Sequence, residues 1–544
     1  MSHIELICRS EYVVMRDGIR LAVSTWLASD NDINSGKNTD RRPAVVITTR
    51  YWRAMALKQD NPEFQTFYPF GSYLWSRGYV LAVVDVRGTG ASFGTREREL
   101  SPAEVMDIGE LIDWVAQQTW CDGRVATNGR SYTANTTLHS LASVSLLRRA
   151  EGSSALKLGV GRAPDFDVYR HLLAPGGVIN RWFVEVWGSL TAAQDANDVN
   201  VLSKGGYWNV PDETAEDVLV GVRPVDEDTE GALLAAAIAE HTANFNAIDV
   251  ADKLTFIDSY PHSNAYDHQD NIEQGNLPVI IRCGWHDAAT QLGALSMFAS
   301  FSNPMRVILG PWNHACDFRV DPFQVGDGTQ PEAIPLDYEF GLIANSLDAT
   351  FKKDPYSSGD ALTSDASTDE QFGIVEYYTL GENQWKTTSV WPLPQTRVQR
   401  LYLSADHQLS FETPEEETAY DIYQVDPTTS TGINNRWGCQ MSEPVFFNDR
   451  QEADKKLLVY DSPPLEEDVE ITGHPVVALF IRSTAMDGQF FVYLETIDPD
   501  GRVRMLTDGQ LRALHRKVSD ETPPFTMFGP YHSLKEKDAE LLIP

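Results

Sequence analysis

Ser131 is the residue whose neighbours most clearly indicate chemistry. It stands in Gly129-Arg130-Ser131-Tyr132, at the end of a short segment that begins near Val125, and a helix-compatible run follows at 136–147. A serine between a strand and a helix is typical of a nucleophile elbow, a strained turn that lifts the hydroxyl group out of the backbone. Because Gly-x-Ser also occurs often by chance, Ser131 is a candidate that needs partners.

A nucleophilic serine needs a base that takes its proton and an acid that orients the base. In α/β-hydrolases the acid and then the histidine follow the serine in the chain, each on a loop after a strand. Asp287 follows the predicted strand 277–283, and His314 follows the predicted strand 305–309. Alone, Asp287 could cap a helix and His314 could be a packed side chain. Their order nevertheless favours a triad with Ser131. Other histidines compete for the base, with His286 the nearest rival: His139, His171, His286 and His515.

The segments around these residues predict an α/β core. The run from 78 to 85 is almost continuously apolar, which is typical of a parallel strand covered on both faces. A shorter strand is predicted at 44–48, and a helix begins after Ser101-Pro102 and continues to about 118. Strands that alternate with helices predict a parallel sheet. Asp17-Gly18 predicts a hairpin before this core.

The rest of the chain changes character twice. Residues 166–270 are mainly helix-compatible and predict a cap inserted over the sheet, whereas the residues after 356 are rich in short β-type segments and turns, which predict a β-sandwich. We therefore expect a first core segment at 1–165, the helical cap insertion at 166–270, a second core segment at 271–355 and the sandwich at 356–544, with a linker at 352–371. The strands predicted after the linker are 373–380, 398–403, 456–460, 476–481 and 490–497.

Composition excludes several classes of function. The formal net charge of −34 disfavours nucleic acid and anionic membranes as partners, because both would repel the chain. The sequence contains neither a Walker motif nor a cluster of metal-ligand spacing, and no apolar run approaches the length of a membrane span. The five cysteines are scattered, without a Cys-x-x-Cys pair, as in reduced proteins of the cytosol. We expect a soluble cytoplasmic protein without a cofactor or metal.

The motifs together resemble one family, the cocaine-esterase-like acyl esterases. This family also includes X-prolyl dipeptidyl peptidases, glutaryl acylases and α-amino acid ester hydrolases. The resemblance covers nearly the whole chain and implies an α/β-hydrolase core with a helical cap insertion and a C-terminal jelly-roll domain. It is carried by Asp85-Val86-Arg87-Gly88-Thr89-Gly90, Trp120-Cys121-Asp122-Gly123, Gly129-Arg130-Ser131-Tyr132, Gly284-Trp285-His286-Asp287 and Gly310-Pro311-Trp312-Asn313-His314.

The resemblance implies a role for each site residue. Ser131 is then the nucleophile, His314 the general base and Asp287 its orienting acid. The backbone N–H of Tyr132 and the hydroxyl group of Tyr51 would hold the oxyanion. Tyr51 follows the strand predicted at 44–48, where α/β-hydrolases place the second oxyanion donor, although a core tyrosine is the alternative.

Three positions depart from the family pattern. Ala134 replaces a glycine of the elbow, and we expect its methyl group to crowd the turn. Arg50 replaces a proline before Tyr51, which weakens that assignment. The sequence ends at Leu541-Leu542-Ile543-Pro544, where relatives continue through further jelly-roll strands.

The expected reaction is hydrolysis of a small-molecule ester or amide through an acyl-enzyme on Ser131. Trp182, Phe183 and Trp187 either line an acyl pocket or pack in a core, since they recur at helical spacing. The carboxylates of the cap either bind a substrate ammonium group or form a solvated face. The alternatives are an X-prolyl dipeptidyl peptidase, a β-lactam or glutaryl acylase, an acyltransferase with the same triad, and a non-catalytic binding protein on the same fold. Homo-oligomer formation stays open.

Overall fold

The computed structural model describes residues 6–28, 41–59, 65–147, 154–204, 218–260, 263–324, 331–352, 372–414 and 419–543. The linker predicted at 352–371 lies almost entirely outside these residues. The strands are β1 Leu6–Val14, β2 Arg20–Ala28, β3 Arg42–Thr49, β4 Met55–Leu57, β5 Val80–Asp85, β6 Cys121–Arg130, β7 Leu156–Arg162, β8 Leu219–Val222, β9 Val279–Gly284, β10 Met305–Gly310, β11 Phe318–Arg319, β12 Glu332–Ala333, β13 Ile374–Thr379, β14 Gln384–Thr388, β15 Tyr402–Ser404, β16 Gln408–Ser410, β17 Gln489–Ile497 and β18 Val503–Arg512. The α-helices are α1 Tyr68–Ser76, α2 Pro102–Ala116, α3 Tyr132–Leu146, α4 Arg181–Asp195, α5 Val199–Lys204, α6 Ala232–His241, α7 Gln269–Gly275, α8 Thr290–Ser300, α9 Leu336–Phe351 and α10 Gln451–Asp454.

One large sheet organises the described residues. It has ten strands in the order β1-β2-β5-β3-β6-β7-β9-β10-β13-β14. The seven strands from β5 to β13 in this order are parallel to one another. The hairpin β1–β2 and the pairs β2–β5 and β13–β14 are antiparallel. The predicted hairpin and the predicted parallel core are therefore confirmed.

Local sequence explains why these elements form. All six residues of β5 are buried, as expected for an apolar strand in the middle of a covered parallel sheet. At the start of α2, the side chain of Ser101 accepts a hydrogen bond from the Glu104 N–H at 3.3 Å, and Pro102 occupies the first helical position. These caps fix where the helix begins.

The core lies on both faces of the sheet. Apolar residues of α2, α3, α7 and α8 cover one face, and those of α1 and α9 cover the other. Along β3, Val46 belongs to the first face, whereas Val45 and Ile47 belong to the second. This alternation follows from the two-residue period of a strand and produces three packed layers.

The predicted cap region is mainly helical, with α4, α5, α6 and α7 between residues 181 and 275. It also contains the short strand β8, which pairs with β4 outside the large sheet. Among the described helices, none combines the length and the apolar character that a membrane span requires. All five cysteines carry free thiols.

The C-terminal region departs from its prediction in detail. The strand predicted at 373–380 forms as β13, but it extends the large sheet beside β10 rather than the sandwich, because its apolar residues Val375 and Tyr377 pack into the core of the sheet. Segment 490–497 forms β17, which pairs with β18. Segment 398–403 contributes only to β15, and the described segments 456–460 and 476–481 form no strand. The chain is thus an α/β protein with a large, mostly parallel sheet and a C-terminal β-rich domain.

Candidate active site

The turn at Ser131 has the backbone of a nucleophile elbow. Ser131 joins β6 to α3 with φ 59° and ψ −128°, a region that non-glycine residues rarely adopt and that costs on the order of 1–3 kcal/mol. Gly129 makes the turn fit, since a Cβ there would lie 2.0 Å from the carbonyl oxygen of Thr133. The strain is held in place by α3 and by the Ser131 N–H, which donates to the Arg162 oxygen at 3.0 Å.

Ala134 does not crowd the elbow as expected. Its methyl group is buried and faces Gly161 of β7, where even an added Cβ would lie 3.6 Å from it, an ordinary contact distance. The missing side chain at Gly161 supplies the room that a glycine at position 134 would have given.

Asp287 and His314 meet at the ends of β9 and β10. The Nδ1 atom of His314 lies 2.9 Å from Asp287 Oδ1, and both side chains are buried. Asp287 also accepts hydrogen bonds from the Thr290 hydroxyl at 2.9 Å and from Gln440 Nε2 at 2.5 Å. The Cys439 thiol is a fourth, more distant donor at 3.8 Å. Together these donors hold the carboxylate in one orientation and stabilise its charge.

These contacts fix the tautomer of His314. A carboxylate only accepts, so Nδ1 carries the hydrogen and Nε2 keeps its lone pair. Nε2 is buried and has no hydrogen-bond partner among the described residues. The structure thus brings Asp287 and His314 together, whereas it records no hydrogen bond between His314 and Ser131. Such bonds are often long in unliganded enzymes.

The two motifs that carry Asp287 and His314 pack directly on each other. Gly284 lies so close to the second motif that a Cβ there would stand 1.9 Å from the carbonyl oxygen of Trp312. Only glycine allows the β9 and β10 loops to approach in this way. The approach explains why Gly-Trp-x-Asp and Gly-Pro-Trp-x-His occur together in the sequence.

Tyr51 lies next to the Ser131 turn, just after the end of β3. Its hydroxyl oxygen accepts a hydrogen bond from Trp187 Nε1 at 3.0 Å, and the Ser131 hydroxyl is close enough to favour ionisation of the phenol. Burial outweighs both effects and raises the pKa of Tyr51, so the phenol keeps its hydrogen at neutral pH. With Trp187 on the acceptor side, that hydrogen is available to an oxyanion.

Arg50 stabilises the Tyr51 loop in place of the proline. Its buried guanidinium pairs with Glu99 and with Asp195 of α4, the latter at 3.3 Å, and it lies 4.8 Å from the ring centroid of Trp187. Arg50 therefore connects this loop to α4, the helix that also carries Trp187, the hydrogen-bond partner of the Tyr51 hydroxyl.

Tyr132 offers its backbone N–H to the site, while its ring packs against that of Tyr51. Its hydroxyl donates to the buried carboxylate of Glu104, away from Ser131. Its N–H, at the first position of α3, has no acceptor among the described residues. The first N–H groups of a helix lack intrahelical partners and attract negative charge, so this N–H fits an oxyanion donor.

A pocket opens beside Ser131 between the sheet and the helical insertion. Its apolar wall includes Phe183 and Trp187, whose rings stack with centroids 6.1 Å apart, while Trp182 is absent from the lining. Leu172, Leu173 and Tyr260 complete this wall. Of the three aromatic residues that the sequence proposed for an acyl pocket, two face it.

Two carboxylates also line the pocket, Glu99 and Asp165. Glu99 is engaged by Arg50 and Arg96. Asp165 is buried, and its Oδ1 atom has no hydrogen-bond partner among the described residues. Burial raises the pKa of Asp165 to about 7, opposed in part by the charge of His314. A buried carboxylate without a cation can bind a cationic group of a ligand.

The rival histidines are engaged elsewhere. His139 Nδ1 lies 2.7 Å from the carbonyl oxygen of Asn135 within α3, and His515 Nε2 lies 2.9 Å from that of Thr255. Burial lowers the pKa of His171 and of His286 to about 4, so both are neutral at physiological pH. None of these four lines the pocket, and neither does His314, so the contact with Asp287 is what distinguishes His314 from them.

The sequence did not single out Asp165 or Gln440. Asp165 follows β7 through Ala163-Pro164, a position at the same edge of the sheet as Ser131, and this position was its only available signal. Gln440 lies in a short 3₁₀ turn, Gly438–Met441, in the C-terminal region. Nothing in its local sequence indicates a contact with a residue 153 positions earlier.

Comparison with known proteins gives matches over almost the whole chain. The sequence profile described as "X-Pro dipeptidyl-peptidase (S15 family)" matches residues 17–316, and that of the "X-Pro dipeptidyl-peptidase C-terminal non-catalytic domain" matches residues 370–537. A Mycobacterium bovis protein named as a serine esterase, Mb1866c, is 34% identical over 581 residues, covering 98% of this chain and 85% of that protein. Cocaine esterase from a Rhodococcus species is 24% identical, covering 93% of this chain and 83% of that protein.

A solved structure shares the fold. The aminopeptidase from a marine sediment archaeon of the Thaumarchaeota superposes with a TM-score of 0.64, covering 99% of this chain and 84% of that chain at 20% identity. At this identity the likeness concerns the fold alone. It includes the C-terminal β-rich domain as well as the large sheet.

Proposed function

Because the chain belongs to the X-Pro dipeptidyl-peptidase (S15) family and is a serine hydrolase acting on ester or amide bonds, we propose that Ser131, His314 and Asp287 are its catalytic triad. The observation that carries this proposal is the 2.9 Å contact between His314 Nδ1 and Asp287, which leaves Nε2 as a free base. The elbow at Ser131 supplies the nucleophile.

In the first half of the reaction, Ser131 Oγ attacks the carbonyl carbon while His314 Nε2 takes the hydroxyl proton. Asp287 stabilises the resulting imidazolium without accepting the proton itself. The Tyr132 N–H and the Tyr51 hydroxyl donate to the oxyanion. His314 then gives its proton to the leaving oxygen or nitrogen as the bond to the carbonyl carbon breaks.

In the second half, water attacks the acyl-enzyme and the same groups exchange roles. His314 takes a proton from the water, and the oxyanion forms again between Tyr51 and Tyr132. When the intermediate collapses, Ser131 Oγ recovers the proton from His314 and the carboxylic acid leaves. The family implies a small-molecule ester as the substrate.

The experiment that tests the triad is hydrolysis of a short p-nitrophenyl ester by the Ser131→Ala variant. We expect kcat to fall by a factor on the order of 10⁶, and a fluorophosphonate to add its mass to the peptide containing Ser131 in the unchanged protein only. Ser145→Ala, on the same helix, is the matched control. Full activity of Ser131→Ala, or labelling at another residue, would overturn the assignment.

Tyr51→Phe tests the oxyanion proposal, because it removes one hydroxyl group and keeps the ring. We expect kcat to fall by about 10²–10³, as for the loss of one oxyanion donor. KM should change little, since the lost hydrogen bond forms in the transition state. A loss confined to KM would contradict the role.

A second candidate function is favoured by the acidic pocket. Asp165, buried without a cation among the described residues, fits a substrate whose acyl part carries an ammonium group, as in an aminopeptidase. The test compares alanine p-nitroanilide with propionyl p-nitroanilide, which lacks only the amino group. Preference for the alanyl compound supports this function, and preference for the propionyl compound or for esters alone excludes it.

A further inference from the structure

Three arginines stand side by side at the edge of the sheet that carries the site. Arg130 ends β6, and it is in register with Arg162 of β7, which is in register with Arg282 of β9. Neighbouring residues at the same register project on the same face of a parallel sheet. Three positive charges are therefore gathered on adjacent strands, directly beside Ser131.

One carboxylate neutralises two of these charges. Glu339 of α9 is buried and lies 2.9 Å from Arg162 Nη1 and 2.7 Å from Arg282 Nη1. The guanidinium of Arg282 also lies 4.6 Å from the ring centroid of Trp312. Arg162 and Arg282 thus have structural partners that explain their presence.

Arg130 has no comparable partner. In the part of the chain that the structure describes, its guanidinium makes no ion pair and no hydrogen bond, and its side chain is exposed. Carboxylates are nevertheless in excess in this chain, which has 78 acidic and 44 basic residues. A guanidinium stays protonated in a protein, so Arg130 presents a free positive charge.

The surroundings of Arg130 belong to the active site. Its charge interacts with Asp317 and Cys316, which follow His314, and with Tyr51. Although the side chain is open to solvent, the surrounding protein and the like charge of Arg162 lower its pKa. Asp317 offsets only part of this effect, and no direct ion pair forms among the described residues, so an anion could stabilise the charged form further.

We propose that Arg130 binds a carboxylate on the leaving group of the substrate, and so makes the enzyme selective for esters or amides of anionic alcohols, phenols or amines. The inference rests on the proposed role of Ser131. A guanidinium binds a carboxylate through two parallel charge-assisted hydrogen bonds, which gives both affinity and orientation.

The position of Arg130 assigns the anion to the leaving group rather than to the acyl group. The enclosed pocket beside Ser131 is lined by Glu99 and Asp165, and Arg130 is not part of it. The described lining contains these two carboxyl groups and no basic side chain, so it offers no cation to an acyl group that carries a carboxylate. If the pocket holds the acyl group, the leaving group extends outside it, where Arg130 is exposed.

The test compares 4-acetoxybenzoate with 4-acetoxybenzamide, which have the same acyl group and differ in the charge of the leaving group. The readout is the ratio of their kcat/KM values, so that general losses of activity cancel. We expect Arg130→Gln to lower this ratio at least tenfold, mainly through KM, and Arg130→Lys to restore part of it. Salt should lower the ratio of the unchanged enzyme, because an exposed charge is screened.

Arg397→Gln is the matched control, since it removes the same charge at an exposed position of the C-terminal region. If both variants lower the ratio equally, the effect is one of net charge and the proposal is wrong. A ratio that Arg130→Gln leaves unchanged also overturns it.

Competitive inhibition of the unchanged enzyme needs no variant: 4-hydroxybenzoate should inhibit more strongly than 4-hydroxybenzamide, and equal inhibition contradicts the proposal. If the unchanged enzyme cleaves neither ester and resists fluorophosphonate, the proposed triad has failed instead.

Discussion

Two aspartates follow the neighbouring strands β7 and β9, and both interact with His314, yet their surroundings are opposite. Asp287 accepts hydrogen bonds from His314, Thr290 and Gln440. Asp165 has an oxygen without a partner among the described residues, and burial raises its pKa to about 7. The two aspartates differ in their hydrogen bonds rather than in residue type or place on the sheet, and this difference supports Asp287 as the carboxylate that orients the base. Asp165 is available to the ammonium group that we propose as its ligand.

Asp287→Asn is expected to have the largest effect of the variants that test the difference between the two aspartates. The amide would favour the wrong tautomer of His314, with its hydrogen on Nε2, so we expect kcat for an ester to fall by a factor on the order of 10⁴. Steady-state kinetics at pH 8 measures the loss. If Asp165 took over as the orienting acid, activity would stay within tenfold of normal, and the contrast between the two aspartates would be wrong.

Asp165→Asn should change how stability depends on pH. Burial raises the pKa of Asp165 in the folded protein from its ordinary value of 3.8 to about 7, so the folded state retains a proton that the unfolded state loses. The unchanged protein therefore loses stability as pH rises from about 4 to 7, by up to the order of 4 kcal/mol at 1.36 kcal/mol per pKa unit. The variant lacks this loss. Chemical denaturation at pH 5 and pH 8 measures it, and parallel profiles for both proteins would contradict the burial of an unpaired carboxyl group.

The same variant also tests whether Asp165 binds the substrate. If Asp165 binds an ammonium group, Asp165→Asn should lower kcat/KM for alanine p-nitroanilide about 10- to 100-fold relative to propionyl p-nitroanilide, as for hydrogen bonds to charged groups. In the unchanged enzyme the preference for the alanyl compound should grow between pH 6 and 7, where Asp165 ionises while the amino group of the substrate is still protonated. Glu185→Gln, on the exposed side of α4, controls for net charge. A pH-independent preference would remove Asp165 from substrate binding.

The contrast also separates what the sequence could predict from what it could not. The sequence identifies Ser131, Asp287 and His314 as candidates because strained turns and closely packed loops require glycines at fixed offsets. Gly129 and Gly284 are examples. These glycines turn a geometric requirement into a local pattern. Whether the three residues act as a triad stays a prediction.

Residues that act through distant contacts leave no such pattern. Gln440 reaches Asp287 from a turn in the C-terminal region, and its contact depends on how two parts of the chain pack. The same dependence explains the strands predicted after residue 390. A segment such as 476–481 has β-type residues, but a strand forms only where a neighbour supplies hydrogen bonds, and alternation does not identify that neighbour.

Gln440→Ala is expected to have the smallest effect, because it removes only one of the donors to Asp287. We expect kcat to fall about tenfold with KM nearly unchanged, since Gln440 acts by positioning the acid and touches no substrate. A double-mutant cycle distinguishes this role from a general structural one. In the Asp287→Asn background, the loss of Gln440 should add little, because the carboxylate it positions is already gone. An equal loss in both backgrounds would show that Gln440 acts elsewhere. The difference between Asp287 and Asp165 would then depend on the remaining hydrogen bonds of Asp287, chiefly those from His314 and Thr290.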